Sequence, residues 1–428
     1  MSFSLERRFE RYCDGIVSTL LHVDREQPAR WYIQGLMLPG ERKSVEPMAA
    51  RVAPGNVRSV HQSMHHLVAD APWSDAAMMS MIAQQVLPKL IDAKAPQPVH
   101  WIVDDTGFPK KGKHSVGVAR QYCGQTGKKD NCRVAVSLSI ASRSGSLPVG
   151  YQLYLPREWA EDTERRRKTG VPEEVVFKTK PALAMDQIEA ALAAGYPRGI
   201  VLADAAYGDE TAWRERLAGH GLQYAVGVRP GTTVWWGEHQ PLPESTSGGG
   251  CGRPRRRLKR DEAHQPISVA EVACALPTAA WRSVTWREGV AGPLRSRFAR
   301  VRVRPAHRDR LREEEWLIIE WAEGAKEPAH YWFSNLARRT PWQPMVDTLM
   351  SRWQIERDYE ELKQELGLGH YEGRNWRGFH HHASLCIAAY GFLILERLSG
   401  RKKNAAQFQT PALPEGFRPR GAGTHAAP

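Results

Sequence analysis

Two aspartates stand directly after short apolar runs, in WIVDDTG (101–107) and VLADAAYG (201–208). In open α/β sheets, ligands meet the protein at the carboxyl ends of the strands. A carboxylate at such an edge costs stability unless its charge is compensated, and a divalent cation compensates it. Magnesium takes one or two carboxylates and leaves its other positions to water and substrate phosphates. Asp104 and Asp204 therefore read as half of a phosphoryl-transfer site, with turn residues or helix caps as the plain alternative. A third carboxylate, Glu356, lies in LMSRWQIERDYEELKQELGLG (349–369). At about 100° per residue, Ile355, Tyr359, Leu362 and Leu366 form one apolar stripe of a helix. Arg352, Glu356 and Lys363 form a second stripe beside it, and Gln354 with Arg357 and Asp358 a separate polar face. Such a helix brings three charges to the edge of a core, although a solvated, ion-paired face has the same spacing.

Those side chains need elements to hold them. Residues 1 to about 92 read as helices, with apolar positions at helical spacing in Ile16, Leu20 and Leu21, then Met78, Met81, Ile82 and Val86. From Pro98 the texture changes. VHWIV (99–103) and GIVLA (199–203) read as buried strands, and VAVSLSIAS (134–142) with LPVGYQLYL (147–155) as a hairpin around RSGS. PALAMDQIEAALAAG (181–195) and DETAWRERLAGHG (209–221) read as helices, and LQYAVGV (222–228) as a further strand. The expected organisation is a helical DNA-binding segment (1–95), an α/β core (96–228) and a mainly β insertion (229–340). Closing core helices (341–400) and a disordered Pro- and Gly-rich tail (401–428) follow.

The bulk properties narrow the partner. A net charge of +13 on 428 residues favours polyanions, because Lys and Arg release condensed counterions from phosphates. Six cysteines without a C-x-x-C pair argue against a zinc or redox motif and fit a reducing cytoplasm. The polar start MSFSLERRFERY is followed by no long apolar run, so neither a signal peptide nor a membrane span is expected.

The three carboxylate blocks, WIVDDTG, VLADAAYG and RWQIERDYEELKQELGLG, resemble the signature blocks of insertion-sequence DDE transposases, and among them the insertion sequence 701 family. GFPKKGKHSVGVARQYCGQTGKKDNC, YLPREWAEDTERRRKTGVPEEVVFKTK and HYEGRNWRGFHHHASL fit the same type, over roughly residues 30 to 398. The resemblance implies an α/β, ribonuclease H-like mixed sheet with flanking helices, interrupted by a β insertion before the glutamate helix. It implies Asp104, Asp204 and Glu356 as catalytic metal ligands for Mg²⁺, which Mn²⁺ can replace. Two ions ~3.5–4 Å apart would serve strand cleavage and strand transfer. The family's Asp-x-Thr pattern favours Asp104, with Thr106, over the adjacent Asp105. Its Tyr-x2-Arg-x3-Glu-x6-Lys pattern matches Arg352, Glu356 and Lys363, with Leu349 in place of the tyrosine, and implies Arg352 and Lys363 as contacts to DNA ends. The implied partner is double-stranded DNA, both transposon ends and target, bound by a homodimer.

Further candidates are the cations Lys110, Lys111, Lys113 and Lys128 beside the first aspartate, and Arg255, Arg256 and Arg257 in RRRLKR (255–260), with Trp235 and Trp236 as base-stacking neighbours. GQTGKKD lacks the glycine and Ser/Thr positions of a phosphate loop, so no nucleotide cofactor is expected. His380, His381 and His382 point in different directions on a helix and cannot readily share one ion; a helix-start or DNA-backbone role suits them better. The same caution applies to His61, His65 and His66, while Trp353 and Trp376 read as packing residues. Rival functions are a catalytically silent DNA-binding regulator and a metal-dependent nuclease without strand joining.

Overall fold

The computed structural model describes residues 4–92, 97–242, 261–289, 292–307 and 310–401. The cationic string 255–260, with Arg255, Arg256 and Arg257, and the tail from residue 402 lie outside the described residues. The chain divides into two compact units: residues 1–99, 104–196 and 354–428 form the first, and 100–103 with 197–353 the second.

In the first unit, five helices come first: α1 (Leu5–Val17), α2 (Val23–Met37), α3 (Val45–Val52), α4 (Val57–Ala69) and α5 (Asp75–Leu90). Ser4 and Ser74 cap α1 and α5 by accepting the backbone N–H of Arg7 and Ala77, which satisfies donors a helix start leaves open. Ile16, Leu20, Met78, Ile82 and Val86 are buried as their spacing predicts. Leu21 is not: it is 88% exposed, turned outward by a left-handed backbone at φ 56°. Strand β1 (His100–Pro109) straddles the two units. It is followed by β2 (Ala119–Cys123), β3 (Lys128–Ser142) and β4 (Gly145–Leu153), with β2 and β4 both antiparallel to β3. The β3–β4 hairpin is the one read from the sequence, whereas β2 was missed. Short helices α6 (Arg157–Ala160) and α7 (Thr163–Thr169) lead to α8 (Lys180–Ala193), capped by Thr179.

The second unit is built on the first four residues of β1, with β5 (Ile200–Ala203), α9 (Ala205–Gly208), α10 (Thr211–Gly219) and β6 (Tyr224–Val228). Strands β5 and β6 run parallel to each other, and β5 runs parallel to β1. Next come β7 (Thr233–Trp235), β8 (Ile267–Ser268), α11 (Val269–Ala275), β9 (Arg282–Gly289), β10 (Gly292–Pro305), β11 (Glu315–Ala322), β12 (His330–Ser334) and α12 (Trp342–Met350). The strands of the stretch expected as an insertion do not form a sheet of their own. β12 pairs antiparallel with β6, and the order continues β12-β11-β10-β7-β8. Val228, Val234, Val303, Leu317 and Phe333 share one apolar core there. Trp235 is buried as well, so that tryptophan is closed to base stacking.

The first unit closes with α13 (Gln354–Glu360) and the long α14 (Trp376–Arg401). Among the described residues α14 is the one helix long and apolar enough to cross a membrane by composition. Its apolarity is accounted for by packing against α5, α2, α4 and β4. Tyr12 donates to the Ala388 carbonyl at 2.8 Å from that core.

Candidate active site

Asp204 follows the end of β5 as expected, whereas Asp104 lies inside β1, five residues before its end, and both are held by local backbone chemistry. In the second unit, β1 and β5 are parallel in the register Ile102 to Leu202, and in the sequence an aspartate follows each of these two residues by two positions. Asp204 is the N-cap of α9: its Oδ1 accepts the Ala206 N–H at 2.9 Å. The turn it begins lies directly on β6. A Cβ at Gly208 would collide with the Gly227 carbonyl oxygen, and one at Gly227 would come 3.1 Å from the Ala205 nitrogen. Two glycines thus let backbone meet backbone behind the aspartate.

In the first unit, Asp104 and Asp105 have different surroundings. The Asp105 N–H donates to Asp104 Oδ1 at 2.8 Å. The Asp105 carboxylate forms an ion pair with Lys180 at 2.9 Å. The Asp104 carboxylate lies toward Tyr359, whose phenol is held well above its usual range, first by burial and then by that negative charge. Tyr359 is fixed in turn by a 2.7 Å hydrogen bond to Ser137. It lies one turn after Glu356, so the first aspartate and the glutamate segment belong to the same packed neighbourhood.

That segment departs from the uniform helix its periodicity predicts. A 3-10 turn (Ser351–Trp353) precedes α13, and a π-helical turn (Glu361–Glu365) follows it. Ile355, Tyr359, Leu362 and Leu366 are buried as expected, and Glu356 is exposed. The stripe Arg352–Glu356–Lys363 is broken, because Arg352 sits in the 3-10 turn and Lys363 in the π turn. Lys363 Nζ donates to the Gly107 carbonyl at 2.9 Å and lies 5.0 Å from the Phe108 ring centre, and burial lowers its pKa. Asp358, read as part of a polar face, is instead buried and accepts from Tyr390 at 2.8 Å. Leu349 is buried in the second unit, so the family's tyrosine position is here a core position.

The other candidates fall into two groups. Lys111, Lys113 and Lys128 are exposed. Lys110 is partly buried, donates to the Tyr371 carbonyl at 2.8 Å and is lowered to about 8, mainly by burial. Beside it the buried Arg133 reaches the same carbonyl at 3.3 Å and lies over the Phe379 ring. His380, His381 and His382 are all buried, which overturns a DNA-backbone role for them. His380 accepts the Leu153 N–H at 3.2 Å, and His381 stacks on Trp73 with centroids 3.6 Å apart. His382 lies between the Tyr32 hydroxyl at 2.8 Å and the Gly367 carbonyl at 3.0 Å. Trp376 is buried and Trp353 lies under Arg287, in keeping with packing roles.

The family profile described as "DDE superfamily endonuclease" matches residues 16–293, well over half of the chain and including both aspartates. The chain belongs to the DDE superfamily endonucleases. A relative from Microchaete diplosiphon, described as a probable transposase for insertion sequence element IS701, is 27% identical over 200 residues. That alignment covers 47% of this chain and 48% of the relative, so it spans about half the relative's length. The resemblance carried by the three sequence blocks is borne out at family level. The mixed sheet flanked by many helices is consistent with the ribonuclease H-like fold of DDE enzymes.

Among the described residues, no three His, Cys, Asp or Glu side chains form a ready-made metal cluster. The donor chemistry of this endonuclease still suits a hard cation. Asp104, Asp204 and Glu356 are all oxygen donors, and magnesium needs one or two protein carboxylates when phosphate and water complete its shell.

Proposed function

We propose that this chain is an insertion-sequence transposase that binds duplex DNA at transposon ends, cleaves it and joins the freed 3′ end to target DNA. Asp104, Asp204 and Glu356 are its catalytic carboxylates, holding Mg²⁺ or Mn²⁺. The observation that carries this reading is the parallel β1–β5 register, with an aspartate two residues beyond Ile102 and another two beyond Leu202. Family membership and the exposed Glu356, one turn before the tyrosine that senses Asp104, support it.

Bound metal would supply Lewis-acid stabilisation of the scissile phosphate and a lowered pKa for the attacking water or hydroxyl. The protein's share is position and charge. Asp204 is oriented by the α9 N–H it caps, and the Gly208–Gly227 contact fixes that turn. Asp105 is withdrawn toward Lys180, which leaves Asp104 as the ligand of the pair. Lys363 fastens the glutamate segment to β1 at Gly107. Exposed Lys111 and Lys113, together with Arg352, Arg255, Arg256 and Arg257, are the proposed contacts to DNA, which a homodimer would hold in pairs of ends.

The test uses duplex DNA from the flanks of the chain's own gene, with Mg²⁺ or Mn²⁺, comparing wild type with Glu356→Gln. Metal-dependent nicking and strand joining in the wild type, lost in the variant, would uphold the reading. Nicking without joining would reduce it to a nuclease, and binding without cleavage to a silent DNA-binding protein.

A further inference from the structure

We propose that the outer face and tip of the β2–β3 hairpin form a docking surface for the phosphodiester backbone of duplex DNA, gripped by Arg120, Lys128 and Lys129 around Tyr122. The inference rests on the DNA reading above and assigns that role to a surface outside the carboxylate site.

Register and burial define the face. Arg120 pairs with Asn131 and Tyr122 with Lys129. Residues two apart on a strand share a side, and directly opposed residues do too. Arg120, Tyr122, Lys129 and Asn131 therefore lie together. Of the intervening positions, Cys123, Cys132 and Val134 form a small buried cluster, while Lys128, opposite Cys123, is exposed at the tip beside the turn. Arg120, Lys128 and Lys129 are exposed, and Tyr122 is 59% exposed. Among the described residues none of these three cations is in an ion pair, and the one acid on the hairpin, Asp130, accepts the Asn131 N–H at 2.8 Å. Asn131 also donates to the Gly112 carbonyl at 3.1 Å, tying the loop of exposed Lys111 and Lys113 to the edge of the same face.

The hairpin is anchored rather than loose. Gln125 at its tip accepts from Lys363 at 3.5 Å, and the same ammonium holds Gly107, three residues after Asp104. A duplex seated here would be held by one rigid piece with the first aspartate and the glutamate segment. β2 ends its sheet, and edge strands carry charge to repel further strands. That need does not account for a large exposed aromatic ring set between an arginine and a lysine. A phosphate backbone does, since it takes charge from Arg and Lys and a hydroxyl hydrogen bond from Tyr.

The experiment measures binding of the full chain to a duplex by fluorescence anisotropy across a salt series. It compares wild type, Arg120→Gln/Lys128→Gln/Lys129→Gln, Tyr122→Ala, and Lys326→Gln/Arg339→Gln as a charge control from exposed positions elsewhere. The triple variant should bind ~10-fold or more weakly near physiological salt. Its plot of log affinity against log salt should be shallower by about 2–3, one for each phosphate that the variant no longer grips. Tyr122→Ala should weaken binding several-fold with little change of slope. Wild-type affinity and slope in the triple variant, or an equal loss in the control, would overturn the hairpin assignment while leaving the DNA reading intact. A wild type that binds no duplex at any salt would bring down both.

Discussion

The acid response of His382 follows from its surroundings. Its ring lies fully inside the first unit, with Tyr32 on Nδ1 and the Gly367 carbonyl on Nε2. A neutral imidazole protonated on Nε2 satisfies both partners, whereas the charged form would give Nδ1–H to the Tyr32 oxygen and deprive the Tyr32 hydroxyl proton of this acceptor. Burial, assisted by His370, Arg133 and Lys110, lowers its pKa from 6.5 to about 4. The unfolded chain takes up a proton below about 6.5 and the folded chain does not. The stabilisation is therefore whole above pH 6.5 and disappears as pH falls toward 4. At pH 4.5 most of that stabilisation, on the order of 2–3 kcal/mol, is gone, against a typical total of 5–15 kcal/mol. His382→Gln keeps an N–H for Gly367 and an oxygen for Tyr32 but cannot titrate. In urea unfolding at pH 7.5, 5.5 and 4.5, the wild type should lose on the order of 2 kcal/mol more than the variant over that interval. Parallel losses in the two proteins would refute the reasoning.

Other outcomes follow from single contacts. Asp104→Asn should abolish metal-dependent cleavage. Asp105→Asn, which breaks the largely buried pair with Lys180, should keep cleavage and cost ~1 kcal/mol in denaturant unfolding. Gly208→Ala places a methyl group against the Gly227 carbonyl and should destabilise by ~1–3 kcal/mol, seen as a Tm lower by several degrees. Leu349→Tyr, which restores the family residue at a buried position, should also cost ~1–3 kcal/mol and leave DNA affinity unimproved in a binding titration.

The apolar runs leading into both aspartates were legible as strands because each is unbroken, although β1 continues past Asp104 to Pro109, a polar stretch that the pattern did not announce. The β3–β4 hairpin was legible for the same reason, and the buried stripe Ile355–Leu366 through its spacing. Other features depend on partners far along the chain. Asp358 and the three histidines are polar residues whose burial is made acceptable by Tyr390, Leu153, Val68, Trp73, Tyr32 and Gly367, which no local pattern announces. The 3-10 and π turns around α13 leave the hydrophobic period nearly unchanged while moving Arg352 and Lys363 off a common stripe. β2 was missed although ARQYC alternates exposed and inward positions, because five residues beside a glycine-rich turn make a weak signal. The placement of α14 was the least legible: its apolarity announces burial without saying where.

That placement orders events during synthesis. α1, α2, α4 and α5 are among the first elements made, yet Tyr12 waits for Ala388, Tyr32 for His382, and Val68 and Trp73 for His381. At ~5–20 residues per second, roughly 15–60 s separate the emergence of those helices from that of α14. Meanwhile residues 197–353, together with 100–103, have everything their own unit contains. The unit that holds the beginning of the chain is therefore the last to close. A ribosome that stops short of α14 releases five helices with an open apolar face, a natural substrate for chaperones and proteases.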